Sequence, residues 1–490
     1  MKKVLVISYY WPPAGGSGVQ RWVKFTRYLP SEGWQPVIYT PLNPEISSVD
    51  ETLLKDIPAG TEIIKRPITE PYSLYRRLFG AKSSTDLLTL AGESGKARAT
   101  GGEVNPISGG DKSLKQRVSL WIRGNFFIPD PRIWWVRPSI RFLKKYLREH
   151  PVDIIVTTGP PQSMHLIGRG VHRATGIPWI ADFRDPWTRM FYYKHLHLTK
   201  TSDRIHHRLE KSVLDEADAI IAVSPLVQQD FQSMTSTPVV LITNGFDEDD
   251  FAASGSRADL REDTAPQENR AALGNVRGRG PSSDGRGPAQ QDVLSGSSIL
   301  PQVSDRFCVT HTGLFAEDGN PLALWDAIAA KCREDEQFRG SVRIRLAGKV
   351  DTGIIAALEE RGLSDYVDNL GYVPHDEAVR EQKGAGLLIL PLRQEPEYRS
   401  VLPGKIFEYL AAGRPVLGIG QEDGAAAKIL EDTCAGSMCG WDNASGIRRS
   451  LDSAWEMWKN GVEFRPKGIE RYSRKHLTKT LATLMGQLLK

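Results

Sequence analysis

Cysteine is scarce in this 490-residue chain: Cys308, Cys332, Cys434 and Cys439 are all there are, and none has a metal-ligand or redox spacing. A disulfide scaffold and a zinc module are thereby excluded, and the four are expected to be buried thiols in a reducing compartment. Long apolar runs are missing as well. No window approaches the length a membrane-spanning helix needs, and the apolar run within Met-Lys-Lys-Val-Leu-Val-Ile-Ser8 is too short for a signal peptide. Net charge is low, and +4 is too little to imply a nucleic-acid partner. The expected location is the cytoplasm.

The distribution of that charge says more than its sum. From Lys65 to Lys145 there are 16 basic and 6 acidic side chains, a balance of +10, which leaves −6 for the rest of the chain. Aromatic residues run through the same stretch, among them Tyr72, Tyr75, Phe79, Trp121, Phe126, Phe127, Trp134 and Trp135. Rings at headgroup level beside cations that meet anionic lipid would give a peripheral contact with the inner face of a membrane through residues 65–145. The competing reading packs those rings into the first domain and leaves the charges solvated.

A chain of this length exceeds one ordinary core. Short apolar runs at 4–8, 152–158, 177–181, 219–223 and 239–242, and again at 307–312, 342–347 and 386–391, alternate with helical patterns, as buried parallel strands do. The fold class is therefore α/β, with two doubly wound domains facing each other across a cleft. The expected division is a first domain at 1–247, an insertion and hinge at 248–306, a second domain at 307–468, and a terminal helix at 469–490 that returns to the first domain. Residues about 81–110 and 252–304 are rich in small and polar residues and too poor in aromatics to bury enough surface to order themselves.

Two glycine turns and one helix start carry the chemistry. Gly16-Ser17-Gly18 lies between a first strand and a first helix, where a ligand can approach the backbone and the helix dipole. Arg21 stands where a dinucleotide fingerprint has its third glycine, and no acidic residue ends the next strand, so hydride chemistry is not expected. Asp182-Phe-Arg184-Asp185-Pro-Trp187 sets two carboxylates, a guanidinium and an indole at one strand end, and Asp182 and Arg184 could pair with each other. In Arg399-Ser-Val-Leu-Pro-Gly404-Lys405-Ile-Phe-Glu408, Pro403 suits a first helical turn and Gly413 a stop. Lys405 and Glu408 then share one face beside a helix N-terminus that attracts anions, although such a pair is also ordinary helix surface chemistry.

Glu408-Tyr-Leu-Ala-Ala-Gly-Arg-Pro-Val416 closely resembles the signature of glycosyltransferase family 4, and the resemblance covers nearly the whole chain apart from the two polar segments. It implies the GT-B fold, a retaining transfer without metal or other cofactor, a nucleotide-sugar donor and a saccharide or lipid-linked saccharide acceptor. By the same resemblance Glu408 holds the donor ribose, Tyr372 and Val373 of Leu370-Gly-Tyr-Val-Pro-His375 meet the base and Gly313 lies at the diphosphate; because no Arg follows Gly313, Arg399 and Lys405, flanking Gly404, are the expected phosphate cations. Gly16, Ser17 and Gly18 would touch acceptor or donor phosphate, His165 the transferred sugar and Asp185 an acceptor hydroxyl. Two positions depart from the family pattern: Ser400 stands for a second Glu, and Gly313-Leu314 for a Gly-Arg pair. No clear Asp-x-Asp metal motif is read at a strand end. A nucleotide-sugar epimerase on the same scaffold, and a non-catalytic nucleotide-sugar or lipid-binding module, are the alternative readings.

Overall fold

The computed structural model describes residues 1–46, 49–69, 121, 124–190, 193–252 and 305–490. The small-residue excursion at 81–110 and most of the polar insertion lie outside them. Each half is built around one parallel sheet. The first contains β1 (Lys2–Ile7), β2 (Trp34–Pro41), β3 (Glu62–Arg66), β4 (Ile154–Gly159), β5 (Trp179–Phe183), β6 (Ala219–Ala222) and β7 (Val239–Leu241), in the order 3-2-1-4-5-6-7. The second contains β8 (Phe307–Thr312), β9 (Val342–Ala347), β10 (Val367–Gly371), β11 (Leu387–Pro391), β12 (Val416–Ile419) and β13 (Gly436–Cys439), in the order 10-9-8-11-12-13.

Apolar runs become buried strands because helices cover both faces of each sheet. Along β1, Leu5 and Ile7 enter one core and Val4 and Val6 the other, as the two-residue period of a strand requires. Along β11, Leu387 and Ile389 go one way and Leu388 and Leu390 the other. In both sheets the order reverses beside the first strand, between β1 and β4 and between β8 and β11. Loops leaving adjacent strands there diverge to opposite faces, which opens a crevice at the carboxyl ends. Gly16–Gly18 and the Gly159–Gln162 turn flank one such point, and Gly313 and the helix Gly404–Ala412 flank the other.

The chain crosses between the halves twice. Outbound it runs through Gly245–Asp247, and it returns through Tyr472–Arg474, where Phe246 N donates to Tyr472 O (3.1 Å) and Arg474 N to Phe246 O (2.8 Å). A Cβ on Gly245 would fall 2.1 Å from the Tyr472 carbonyl oxygen, so only glycine lets the two crossings lie this close. The helix Arg474–Gln487 then lays Leu477, Leu481, Leu484 and Met485 against Val19 and Trp22 of the first half, at the spacing of one helical face. Farther out, His375 Nε2 lies 3.5 Å from Asp250 Oδ2 at one side of the junction, and Lys194 Nζ lies 3.0 Å from Glu397 Oε1 at another.

Among the described residues no helix is long and apolar enough to cross a membrane. Cys308, Cys332 and Cys439 are buried, but Cys434 is exposed. It follows the helix Ala425–Asp432 at φ 50°, where the chain turns out of the helix towards solvent. Of the aromatic stretch, Trp135 is buried and stacks on Tyr39 at 5.0 Å between centroids. Trp121, Phe126 and Trp134 are exposed.

Candidate active site

At the carboxyl edge of the second sheet, the helix Gly404–Ala412 begins after Pro403 and stops at Gly413, whose φ of 66° is left-handed. Among the described residues no side chain caps its N-terminus; Ile406 N donates to Pro403 O at 3.1 Å, which leaves the N–H groups of Gly404 and Lys405 to meet a ligand. Lys405 and Glu408, three residues apart, line the same groove as Gly313, Tyr372, Val373 and His375. Glu408 is half-buried, and its Oε2 accepts from Gln382 Nε2 at 2.9 Å. Gln382 is fully buried and also donates to Thr312 Oγ1 at 3.0 Å. The carboxylate is thus oriented from behind while its edge faces the groove. Tyr372 is 70% exposed, so its ring stands free at the rim.

Lys405 is positioned by the end of β8. Its Nζ lies 3.2 Å from His311 Nε2 and 3.4 Å from Leu314 O. His311 Nδ1 lies 3.2 Å from Ile389 O and Nε2 3.3 Å from Leu314 O, and the tautomer with its proton on Nδ1 is the one that lets Nε2 accept from the ammonium. Burial, reinforced by Lys405, holds His311 neutral with its pKa well below the ordinary value. Burial also lowers the Lys405 pKa to about 8, against the opposing pull of Glu408. The cation is therefore present below pH 8 and lost above it. Affinity for a nucleoside diphosphate is expected to fall as the pH rises through about 8, with affinity for the nucleoside unchanged, in calorimetric titrations from pH 6.5 to 9. Equal pH dependence for both ligands would remove Lys405 from the phosphate site.

The first half meets the start of the same helix at a second, smaller cavity. A crevice of about 190 Å³ is lined on one side by Gly18, Arg184, Asp185 and Asn244, and on the other by Glu397, Ser400, Pro403 and Gly404. The structure thus brings Gly18, Asp185 and Gly404 to one cavity. Gly16 and Ser17 stand at the start of the helix Ser17–Tyr28, with Gly16 at φ 105°.

Other predicted residues are placed differently. Arg399 pairs with Asp423 at 3.0 Å, with both side chains more than half exposed, and it does not line the crevice. His165 was expected to face the cleft, but it is fully buried and stacks on Phe183 at 4.3 Å between centroids. Its Nδ1 lies 2.8 Å from Thr157 Oγ1, which also accepts from Trp179 Nε1 at 2.9 Å. Burial depresses its pKa to about 3, so the ring is neutral at physiological pH and cannot serve as a cation there.

Asp182 does not pair with Arg184. Its carboxylate takes both ends of the Arg21 fork, at 2.8 and 3.1 Å, because Arg21 reaches back from the first helix beneath the glycine turn. One Asp-x-Asp spacing does follow β7, at Asp247 and Asp249, and sequence reading passed over it. Both carboxylates are engaged: Asp247 meets Lys24 at 2.7 Å and the Tyr28 hydroxyl at 2.6 Å, and Asp249 meets Arg27 at 2.7 Å. Sequence reading also missed Gln382 and His311, which sit on elements far along the chain from the helix they support.

Two family models match the chain: one described as Glycosyltransferase Family 4 over residues 96–250, the other as Glycosyl transferases group 1 over residues 306–455. No curated protein sequence matches it. Among solved structures, a glycosyltransferase from Rickettsia africae superposes with a TM-score of 0.56 at 11% identity, covering 100% of this chain and 99% of that one. Sucrose-phosphate synthase from Thermosynechococcus elongatus gives 0.52 at 14% identity, with 100% and 98% covered. A putative UDP-N-acetylglucosamine 2-epimerase from Listeria monocytogenes gives 0.50 at 10%, with 99% and 96% covered. Fold and site define a GT-B protein, and the family models place the chain among the transferases of that fold. It belongs to glycosyltransferase family 4.

Proposed function

We propose that this glycosyltransferase moves a sugar from a nucleotide-diphosphate donor onto a saccharide or lipid-linked saccharide acceptor in cell-surface glycan synthesis, with retention of configuration and without a metal. The observation that carries the reading is the groove at the helix Gly404–Ala412. An uncapped N-terminus, a cation and a half-buried carboxylate follow one another there along a single face.

In this reading Glu408 accepts hydrogen bonds from the ribose hydroxyls, and Tyr372 and Val373 border the base. Lys405 and the free N–H groups at Gly404, beside Gly313, take up charge on the departing diphosphate, which is the task a metal performs in other transferases. Asp185 and the Gly16–Gly18 turn receive the acceptor from across the crevice. His165 serves from behind that wall, keeping Thr157 and Phe183 in place. Arg399, held by Asp423, is left at the edge of the site. The exposed Trp121, Phe126 and Trp134 would bring the basic stretch 65–145 against anionic lipid.

Because an epimerase shares the fold, the reaction itself must be tested. Purified protein is incubated with a panel of labelled nucleotide sugars and a membrane extract. Label is expected in lipid or glycan. An altered free nucleotide sugar would mean epimerisation, and tight binding without turnover a binding module. Sedimentation with anionic but not neutral vesicles is the expected result for the membrane contact.

A further inference from the structure

We infer that Arg184, from the first domain, supplies a cation for the donor diphosphate across the crevice, so that the phosphate site is complete only when both domains contribute to it. The inference rests on the reading of the Gly404–Ala412 groove as a nucleotide site and adds a residue to it.

Four observations support it. Arg184 follows β5 at its carboxyl end, with its backbone N–H donating to Gly159 O at 2.9 Å. Its Nη2 donates to the Pro160 carbonyl, and its buried Nε has no hydrogen-bond partner among the described residues. Of the two arginines lining the crevice, Arg189 is paired with Asp230 at 2.8 Å, whereas Arg184 makes no ion pair with a carboxylate among the described residues. A half-buried guanidinium left without a counter-ion is costly, and an anionic ligand would relieve that cost.

The opposite wall fits the same anion. Pro403 and Gly404 line the crevice facing Arg184, and the nine-residue helix that starts there has no side-chain cap. Lys405 lies one residue into this helix and Glu408 one turn deeper. A nucleotide whose ribose meets Glu408 extends its phosphates towards the helix start, where a planar fork from the facing domain can take two phosphate oxygens. With Leu314 rather than a cation following Gly313, the turn adds no charge to that of Lys405, whose Nζ lies 3.4 Å from Leu314 O, and Arg184 adds a second cation from the other side.

The glycine turn is shaped to this guanidinium. A Cβ on Gly18 would fall 2.1 Å from Arg184 Nη1, yet the obstructing atom is the end of a flexible side chain. Gly18→Ala should therefore displace the fork without unfolding the domain. It moves the charge while retaining it.

The test is calorimetric titration of the full chain with UDP, GDP, ADP, CDP and dTDP and with their nucleosides. Wild type, Arg184→Gln, Arg184→Lys, Gly18→Ala, the double variant G18A/R184Q and Glu408→Ala are compared, with melting temperatures as the control for folding. The best-bound diphosphate is expected to lose about ten- to a hundredfold in affinity in R184Q, the range for a hydrogen bond to a charged group. It should lose less in R184K, and the nucleoside should bind all Arg184 variants as it binds wild type. G18A should weaken the diphosphate in the wild-type background and have no further effect in R184Q.

Wild-type diphosphate affinity in a folded R184Q, or equal losses for nucleoside and diphosphate, would overturn the inference. If E408A keeps its nucleoside affinity while R184Q loses diphosphate, the ribose assignment fails and the Arg184 assignment stands. If no diphosphate binds wild type, both fall.

Discussion

Asp182→Ala is expected to destabilise the first domain by about 3–5 kcal/mol, the range for breaking one partner out of a buried ion pair. Both Asp182 and Arg21 are fully buried. The carboxylate accepts from Arg21 at 2.8 and 3.1 Å, from Trp22 Nε1 at 2.7 Å and from Thr158 Oγ1 at 2.9 Å. Arg21 in turn donates to Ile242 O at 2.9 Å and Thr243 O at 2.7 Å. One pair thus ties the first helix, β4, β5 and the segment leaving β7. Alanine would strand a guanidinium that has no route to water.

The sign of the pH dependence follows from the carboxyl group. Burial alone would raise its pKa, but Arg21 and the Trp22 and Thr158 hydrogen bonds outweigh burial and leave it below the ordinary value. A carboxylate depressed in this way stabilises the fold above the unfolded-state pKa and ceases to do so as acid protonates it. The gap between wild type and Asp182→Ala in denaturant titrations should be full at pH 7 and shrink on acidification. Arg21→Met combined with Asp182→Leu should cost less than the two single changes added together, because the stranded charge is gone. A loss under about 1 kcal/mol in Asp182→Ala would show that the pair is not the hub described.

Glu408→Ala is expected to weaken nucleoside binding about ten- to a hundredfold while leaving the fold intact, as expected when hydrogen bonds to a charged acceptor are lost. Stability is spared for local reasons. Alanine is a good helix former, and Gln382 keeps its bond to Thr312 when Glu408 is gone. A second effect should appear with a diphosphate. Glu408 opposes the fall in the Lys405 pKa, so without it that pKa drops below about 8 and the cation is partly lost near neutrality. The diphosphate deficit should therefore exceed the nucleoside deficit at pH 7.5 and match it at pH 6. Unchanged nucleoside affinity would end the ribose assignment.

Much of the architecture was legible along the chain because it is local. Strand, turn and helix start at Gly16–Gly18 and at Pro403–Gly413 are written in residues a few positions apart, and the helix boundaries fall where proline and glycine mark them. Lys405 and Glu408 could be set on one face from their spacing alone. Arg21 shows where such reading stops. Its place in the glycine turn argued against a dinucleotide site, but its partner lies 161 residues away. Nothing in the spacing points from one to the other.

By itself, then, the sequence determined two parallel sheets, their glycine turns and the helix carrying Lys405 and Glu408, since periodicity, turn chemistry and caps act within a few residues. Only the tertiary structure decided which polar groups remain available to a ligand. It placed Asp182 against Arg21, His165 beneath Phe183 and Arg399 against Asp423, and it left Arg184, facing Gly404, without a counter-ion among the described residues. Charges find their partners through space, and burial decides what an unmatched one costs.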